Sequence, residues 1–391
     1  MAVNPCVDPN VNLCFSFVGP DVANDAKVLK QQAFTYDNKA ANLTDLDFAI
    51  RDSKTVQRYG NNYVDADYIT DLIHWTVVFV LTPSISIFGI IGNSFSIIIL
   101  SRHGFQKSSN VLLFCLAISD IMFMIGINGP SKPMYEWGGE GFDCPEETAR
   151  ILYYIYQITD SLNWIFCPTS FSIPVLVMVE RLIAVFLPLR FSTIVTVRRT
   201  VVAIVTPLVL STLAHIYIRT LFKFSYVFDN ARNMSVGIVG RADHYWPQRQ
   251  VSEIFKICDN AMFVFVIFVA AGCVAIGVKM KRVAKKRLQM TNNFLGQKGG
   301  KTDAESSKTT KMLLCLCIFY TFACFPVGFP AVIPGFMVFP VFEDEPRYRS
   351  VGVFIFHVYK MVFCINASCN FYIYVATNKK FRDTFRSLIC R

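Results

Sequence analysis

The stretch NASCNFYIYVATNKKFRDTF, from Asn366 to Phe385, has amide and hydroxyl side chains inside an apolar run and then becomes basic. Asn366, Ser368 and Asn370 would be costly in lipid, where polar residues are usually paired or functional. Basic residues after a span are typical of its cytoplasmic end. The stretch therefore predicts the cytoplasmic end of a membrane helix whose polar groups are paired or functional.

The composition extends this prediction to the whole chain. Of 391 residues, 53% are hydrophobic and 17% are charged, against roughly 25% charged in soluble domains. A membrane helix needs about 20 apolar residues. Seven runs meet this length, so we expect an all-α membrane protein with seven transmembrane helices. The runs are 75–100, 111–129, 150–185, 200–222, 257–278, 311–338 and 351–376.

The charge distribution predicts the orientation. With the N-terminus outside, the inner segments hold 21 Lys and Arg against 4 Asp and Glu, and the outer segments hold 16 against 21. We expect a flexible extracellular tail over 1–74, a seven-helix domain over 75–376 and a cytoplasmic end over 377–391. No signal peptide is visible at the N-terminus. Asn42 and Asn233 lie in outer sequons and are glycosylation candidates.

Several function classes lack support in the sequence. No phosphate-binding loop, GxGxxG, HExxH or GxSxG motif is present, and five scattered histidines show no ligand spacing. We expect neither an enzyme nor a nucleic-acid-binding protein. No internal repeat is evident, which weakens a transporter interpretation. The basic inner segment 279–311 suits contact with anionic lipid, docking of an intracellular partner, or both.

Polar motifs follow one another on the predicted spans. They are GN at 92–93, LAISD at 116–120, ERLIAVFLPLRF at 180–191 and NFYIY at 370–374, followed by NKKFRDTF. In this order the motifs resemble those of rhodopsin-like G-protein-coupled receptors over about residues 75–390. The resemblance implies an extracellular ligand, a heterotrimeric G protein and a short amphipathic eighth helix. We expect Phe381 and Phe385 on that helix to face lipid, and Cys390 after it to be a palmitoylation candidate.

The resemblance also implies roles for individual residues. Glu180 and Arg181 would form a resting charge pair that opens on activation, with Asn370 and Tyr374 as further switch residues. A polar core, which in the family holds a sodium ion, would lie near mid-membrane. Hydrogen bonds among these groups and water are the alternative to a bound ion. The core residues are Asn93, Asp120, Ser170, Asn366 and Asn370.

The sequence departs from the family pattern at several positions. Phe371 replaces the proline of the seventh span, and Cys324 replaces the usual tryptophan of the sixth, for which Phe325 or Phe322 could substitute. Cys144 has the spacing of the family's disulfide cysteine but lies 37 residues before Arg181. We expect a longer outer loop or an extended, kinked third helix. The family's usual partner cysteine is absent from 219–256, so we expect Cys258 to pair with Cys144, with Cys6 or Cys14 as alternatives.

The ligand is the least determined feature. Cys364 stands where opsins carry the retinal lysine, and Asn163 where amine receptors carry an aspartate, so light and biogenic amines are not expected. The Asn-Phe-x-x-Tyr variant is similar to that of invertebrate FMRFamide and myosuppressin receptors. Acidic outer loops would attract a cationic peptide, and Asp160 or Asp259 would anchor it, unless Asp160 pairs with Lys360. The pocket candidates are Asp160, Asn163, Asp259, Cys324 and Lys360.

Two other interpretations remain open. The first is a chemosensory receptor for small molecules, since divergent receptors of this kind share the same core motifs. The second, from a different class, is a seven-span transporter or channel. Ligand-dependent nucleotide exchange on a G protein separates the receptors from the transporter.

Overall fold

The computed structural model describes residues 72–129, 142, 144–220, 222–229, 234–241, 248–293, 301–325 and 346–389. Within this part of the chain, long helices dominate. They are α1 (Leu72–His103), α2 (Ser108–Ile127), α3 (Glu146–Phe186), α4 (Val197–Thr220), α5 (Gln248–Asn293), α6 (Lys301–Cys324), α7 (Pro346–Thr377) and α8 (Lys379–Ile389).

The helices confirm the predicted class of fold. Five of them are long and apolar enough to cross a membrane within the searched residues, in α1, α2, α3, α4 and, over Ala261–Val283, α5. Each predicted span falls on one of α1 to α7, although residues 326–338 of the sixth lie outside the described residues. The ends of the bundle are called outer and inner below, after the predicted orientation.

α3 accounts for the unusual spacing before Arg181. It is 41 residues long, begins two residues after Cys144 and contains Pro168 and Pro174. A proline inside a helix removes a backbone hydrogen bond. In this region, α6 supplies donors to the α3 backbone: the Tyr320 hydroxyl donates to the Phe171 carbonyl at 3.2 Å. The extended third helix, rather than a longer loop, is therefore the outcome.

α1 contains a second irregularity, a π-helical turn at Val77–Leu81. Pro83 follows it and has no backbone N–H for the preceding turn. The Thr82 backbone N–H and hydroxyl both donate to the Val77 carbonyl, the hydroxyl at 2.8 Å. The Thr82 N–H therefore closes an i to i+5 turn, which is the wider turn of a π-helix.

A β-hairpin between α4 and α5 was not predicted. β1 (Phe222–Asp229) pairs antiparallel with β2 (Met234–Arg241), with Phe222 opposite Arg241. The predicted fourth span, 200–222, therefore ends too late, because Phe222 belongs to the strand. The alternation of aromatic and polar residues in FKFSYVFD is a strand signal that could have identified it.

The hairpin packs on the first turns of α3. The Phe142 backbone N–H donates to the Gly237 carbonyl at 3.0 Å, and the rings of Tyr153 and Phe224 stack with centroids 4.1 Å apart. Phe142 and Ala149 are buried beneath them. This small outer core explains why α3 extends beyond the length that a membrane requires.

α8 packs differently from the prediction. Phe381 is buried against Phe371 and Tyr374, and the Phe385 ring contacts Phe95 and Phe371, with centroids 5.3 and 5.1 Å away. The expectation that Phe381 and Phe385 face lipid is therefore wrong. The rings fill the space between α1 and α7, where Gly92 lets Phe371 approach the α1 backbone.

α2 and α3 approach closely at Gly126. A Cβ atom there would lie 2.8 Å from the Thr159 carbonyl oxygen and 2.9 Å from the Asn163 Cα. Small residues permit such contacts between membrane helices. Since both neighbouring atoms belong to the backbone, no side-chain rotation can relieve the clash.

We expect Gly126→Ala to lower the Tm of the detergent-solubilised protein, because overpacking costs about 1–3 kcal/mol. Gly277→Ala in α5 is the matched control, since no atom lies within 4 Å of its added Cβ. Thermal unfolding monitored by cysteine-reactive fluorescence measures both variants. Equal Tm values for the two would contradict the close approach.

Candidate functional site

A buried carboxylate joins three helices at the centre of the bundle. Asp120 in α2 is fully buried. The Ser170 hydroxyl of α3 donates to its Oδ1 at 2.5 Å, and the Asn370 amide of α7 donates to its Oδ2 at 2.6 Å. Hydrogen bonds to a charged acceptor are the stronger ones. The structure thus brings together three of the five predicted core residues around one acceptor.

The other two predicted core residues have different positions. The Asn93 amide donates to the Ala367 carbonyl at 3.0 Å, which ties α1 to α7. Its Oδ1 atom is buried and has no hydrogen-bond partner within the described part of the chain. Asn366 is half-buried, and the amide that binds Asp120 comes from Asn370 instead. Asn93 therefore connects α1 to α7 and keeps an unused acceptor, whereas no hydrogen bond to Asp120 is shown for either Asn93 or Asn366.

The inner end of α3 carries a buried ion pair. The Arg181 guanidinium lies 2.6 Å from the Glu180 carboxylate, and both side chains are buried. Glu180 Oε2 and Arg181 Nε have no partner among the described residues. Each ion thus relies on the other, and a buried charge that loses its partner is strongly unfavourable. The Tyr374 hydroxyl of α7 is also buried, with no hydrogen-bond partner among the described residues.

In the outer half, Asp160 pairs with a residue that sequence reasoning missed. The Arg219 guanidinium of α4 donates to Asp160 Oδ2 at 2.6 Å. Arg219 also donates to His215 Nε2 at 3.3 Å and lies over the Tyr156 ring at 5.8 Å from its centroid. In the sequence, Arg219 was only an interruption at the end of a span. A basic residue at the outer end of α4, near an acidic residue at the same depth of α3, was the available signal.

The other pocket candidates occupy the same half of the bundle. Asn163, Cys324 and Lys360 are buried. Both polar atoms of the Asn163 side chain lack a partner in the region that the structure describes. The side chain of Asp259 lies outside the described residues. Asn163 is therefore the candidate with unused hydrogen-bonding capacity.

Phe322, one aromatic substitute proposed for the missing tryptophan of α6, is 78% exposed, so the suggestion that its ring replaces the tryptophan inside the bundle is wrong. Phe325, the other substitute, is 45% exposed, and its role stays a prediction. Tyr320, one turn earlier, is buried and contacts the Phe171 ring with centroids 5.9 Å apart. Tyr320 is thus the buried aromatic residue between α3 and α6.

Four predicted modification sites remain predictions. Cys144 is half-buried beside the start of α3, but the side chain of its proposed partner Cys258 lies outside the described residues. The glycosylation candidates Asn42 and Asn233 and the palmitoylation candidate Cys390 also lie outside them.

We expect Asn370→Ala to lower the Tm, because the loss of a charge-assisted hydrogen bond to buried Asp120 costs about 1–3 kcal/mol. Asn366→Ala on the same helix removes an amide of equal size that is only half-buried, and its effect should be markedly smaller. Thermal unfolding of the purified variants provides the comparison. A larger Tm loss in Asn366→Ala would mean that the other amide supports the core.

Comparison with known proteins identifies the class. The family model described as "Serpentine type 7TM GPCR chemoreceptor Srw" matches residues 80–391, which include every helix from the π-turn of α1 to α8. No curated protein matches the chain. The family comprises receptors and no enzymes, in agreement with the lack of catalytic motifs. The chain belongs to the Srw family of serpentine seven-transmembrane G-protein-coupled chemoreceptors.

Proposed function

We propose that the protein is a chemosensory receptor that binds a small extracellular molecule and activates a heterotrimeric G protein. The observation that carries the proposal is the Asp120 cluster, which connects α2, α3 and α7 through Ser170 and Asn370. A buried carboxylate with two donors on different helices can exist in more than one arrangement. Such an element can be biased by a ligand at one end of the bundle.

In this proposal, the inner end of the bundle transmits the signal to the G protein. The Glu180–Arg181 pair holds the arginine inside the bundle. When a ligand favours the active arrangement, the pair opens and Arg181 becomes available to the G protein, as in rhodopsin-like receptors, which the motifs resemble. The ligand shifts the population only by as much as it binds one arrangement better than the other.

A sodium ion is compatible with the core. Asp120 and Ser170 offer a carboxylate and a hydroxyl oxygen that are hydrogen-bonded to each other. Oxygen ligands are those that hard cations prefer. Asp120 and Ser170 would hold the ion, which would supply a positive charge opposite the buried carboxylate.

Two observations favour a small molecule over a cationic peptide. The matching family is one of chemoreceptors, and Asp160 already has a guanidinium partner in Arg219. An arginine of a peptide would have to displace Arg219 to reach this carboxylate. Asn163 instead offers unpaired amide atoms to a neutral polar ligand.

An amidated, RFamide-like neuropeptide is the second candidate. The NFYIY motif favours it, since the motif resembles that of FMRFamide and myosuppressin receptors. Glu146 and Glu147 are exposed at the outer end of α3 and could attract a basic peptide. The remaining acidic loop residues, 136–143 and 343–345, lie outside the described residues or have no described side chain.

Arg219→Gln separates the two ligand classes. If a peptide arginine uses Asp160, removal of Arg219 takes away a competing guanidinium, and agonist potency should rise while Asp160→Asn abolishes the response. For a small neutral ligand, both variants should reduce the response alike, because each breaks the same ion pair. Cells expressing each variant are screened with volatile and water-soluble molecules and with amidated peptides, with calcium and cAMP as readouts. Ligand-dependent substrate flux without nucleotide exchange would overturn the receptor proposal.

We expect Glu180→Gln to raise basal nucleotide exchange on the G protein. The substitution removes the charge that pairs with Arg181, and a shift of about 1–2 kcal/mol between the resting and active arrangements changes their ratio by roughly 5–30-fold. Guanine-nucleotide exchange in membranes without agonist measures the effect.

Glu146→Gln is the control for this experiment. Its ion pair with Arg150, at 3.2 Å, is exposed at the outer end of α3, and exposed pairs contribute little. Basal exchange should stay at the unmodified level. Equal exchange rates in both variants would argue against a restraining role for the Glu180–Arg181 pair.

A further inference from the structure

Two histidines from different helices meet at the outer end of the bundle. His74 lies in the first turn of α1, and His357 lies in the outer half of α7. Their ring nitrogens, Nε2 of His74 and Nδ1 of His357, are 2.9 Å apart. The ring centroids are 4.8 Å apart and the ring planes are inclined by 50°. The nitrogens therefore point at each other, and the rings are not stacked.

This geometry resembles half of a metal site. At 2.9 Å one nitrogen must donate a proton and the other must accept it. Imidazole nitrogen binds zinc at about 2.0–2.1 Å, so two nitrogens of a tetrahedral site lie roughly 3.3–3.4 Å apart. A separation increase of about half an ångström, within the reach of small side-chain rotations, would admit the ion.

The proton balance also permits a bound cation to replace the hydrogen bond between the two histidines. Two neutral imidazoles carry one N–H each. If His74 is the donor, its proton moves from Nε2 to Nδ1, and both facing nitrogens then present lone pairs to the cation. If His357 is the donor, its proton moves from Nδ1 to Nε2 with the same result. A neutral pair releases no proton, whereas a protonated pair must release one, so binding should weaken at acid pH.

The surroundings of the two histidines allow a cation to reach them but limit its binding affinity. His74 is only half-buried, beside the exposed Trp75, whereas His357 is buried. The described residues contain no group of three or more His, Cys, Asp and Glu side chains that could hold a metal. Water can complete the coordination of an ion that two imidazoles hold. Lys360 is buried one turn from His357 on α7 and opposes a second positive charge.

We propose that His74 and His357 form a binding site for a divalent transition-metal cation, such as Zn²⁺ or Cu²⁺, that bridges α1 and α7. Imidazole ligands select these ions, whereas Mg²⁺ prefers oxygen. The bound ion ties the first turn of α1 to the outer half of α7. It thereby stabilises the receptor and restrains α7 near the buried Lys360.

The test uses the full-length receptor, purified in detergent without a histidine tag. Zn²⁺ is titrated against a fluorescent zinc chelator, and thermal unfolding is followed with and without zinc. We expect one zinc ion per receptor, a Tm increase that EDTA reverses, and no response to Mg²⁺. His74→Ala and His357→Ala should each abolish the binding and the Tm increase.

Two further variants sharpen the result. His103→Ala removes a half-buried histidine that bonds Thr384 at the inner end, and it should leave zinc binding unchanged. Lys360→Met removes the opposing charge and should tighten binding severalfold. Zinc binding that persists in the His74→Ala/His357→Ala double variant, or is lost equally in His103→Ala, would overturn the proposal. So would a wild-type receptor that binds no zinc, and neither outcome bears on G-protein activation.

Discussion

A carboxylate in the middle of a membrane bundle requires donors that water cannot reliably supply. Asp120 obtains them from Ser170 and Asn370. These donors fix α3 and α7 relative to α2 more specifically than apolar side chains could, because a hydrogen bond requires one distance and one direction. The same demand makes the bundle sensitive to rearrangement, since a movement of either helix must provide a substitute partner. The Asp120 carboxylate thus contributes both to the stability of the bundle and to its ability to change arrangement.

The sequence allowed the Asp120 cluster to be predicted because few polar residues occur in apolar spans. Each such residue requires a partner, and the family motifs indicated which residues meet. Distances between helices carried no comparable signal. Arg219 lies near the end of the fourth predicted span, and the sequence indicated only that it shares a depth with Asp160, not that the two residues are in contact. The α8 phenylalanines were assigned to lipid, since a basic aromatic helix has the same pattern whether it contacts lipid or other helices.

The outer region shows a second limit of pattern reading. A hairpin between two long helices contributes few residues, and its strands depend on contacts with α3 that are distant in sequence. Tyr153 and Phe224 stack although the chain passes through α4 between them. The hairpin gives the 41-residue α3 a partner beyond the length that a membrane requires, because β1 and β2 pack on one face of its first turns, at Ala149 and Tyr153. The helix and the hairpin therefore define one surface at the end of the bundle that the charge distribution assigns to the outside.

The π-helical turn at Val77–Leu81 affects which residues of α1 face α7. One extra residue in a helix rotates the residues before it by roughly 100° about the helix axis relative to the residues after it. Asn93, beyond the turn, is directed at Ala367 of α7, and His74, before the turn, is directed at His357 of the same helix. In an uninterrupted α-helix these two side chains could not keep their present angular relation. The wider turn changes the angular position of the α1 side chains about the helix axis. Residues before and after the turn can therefore both face α7.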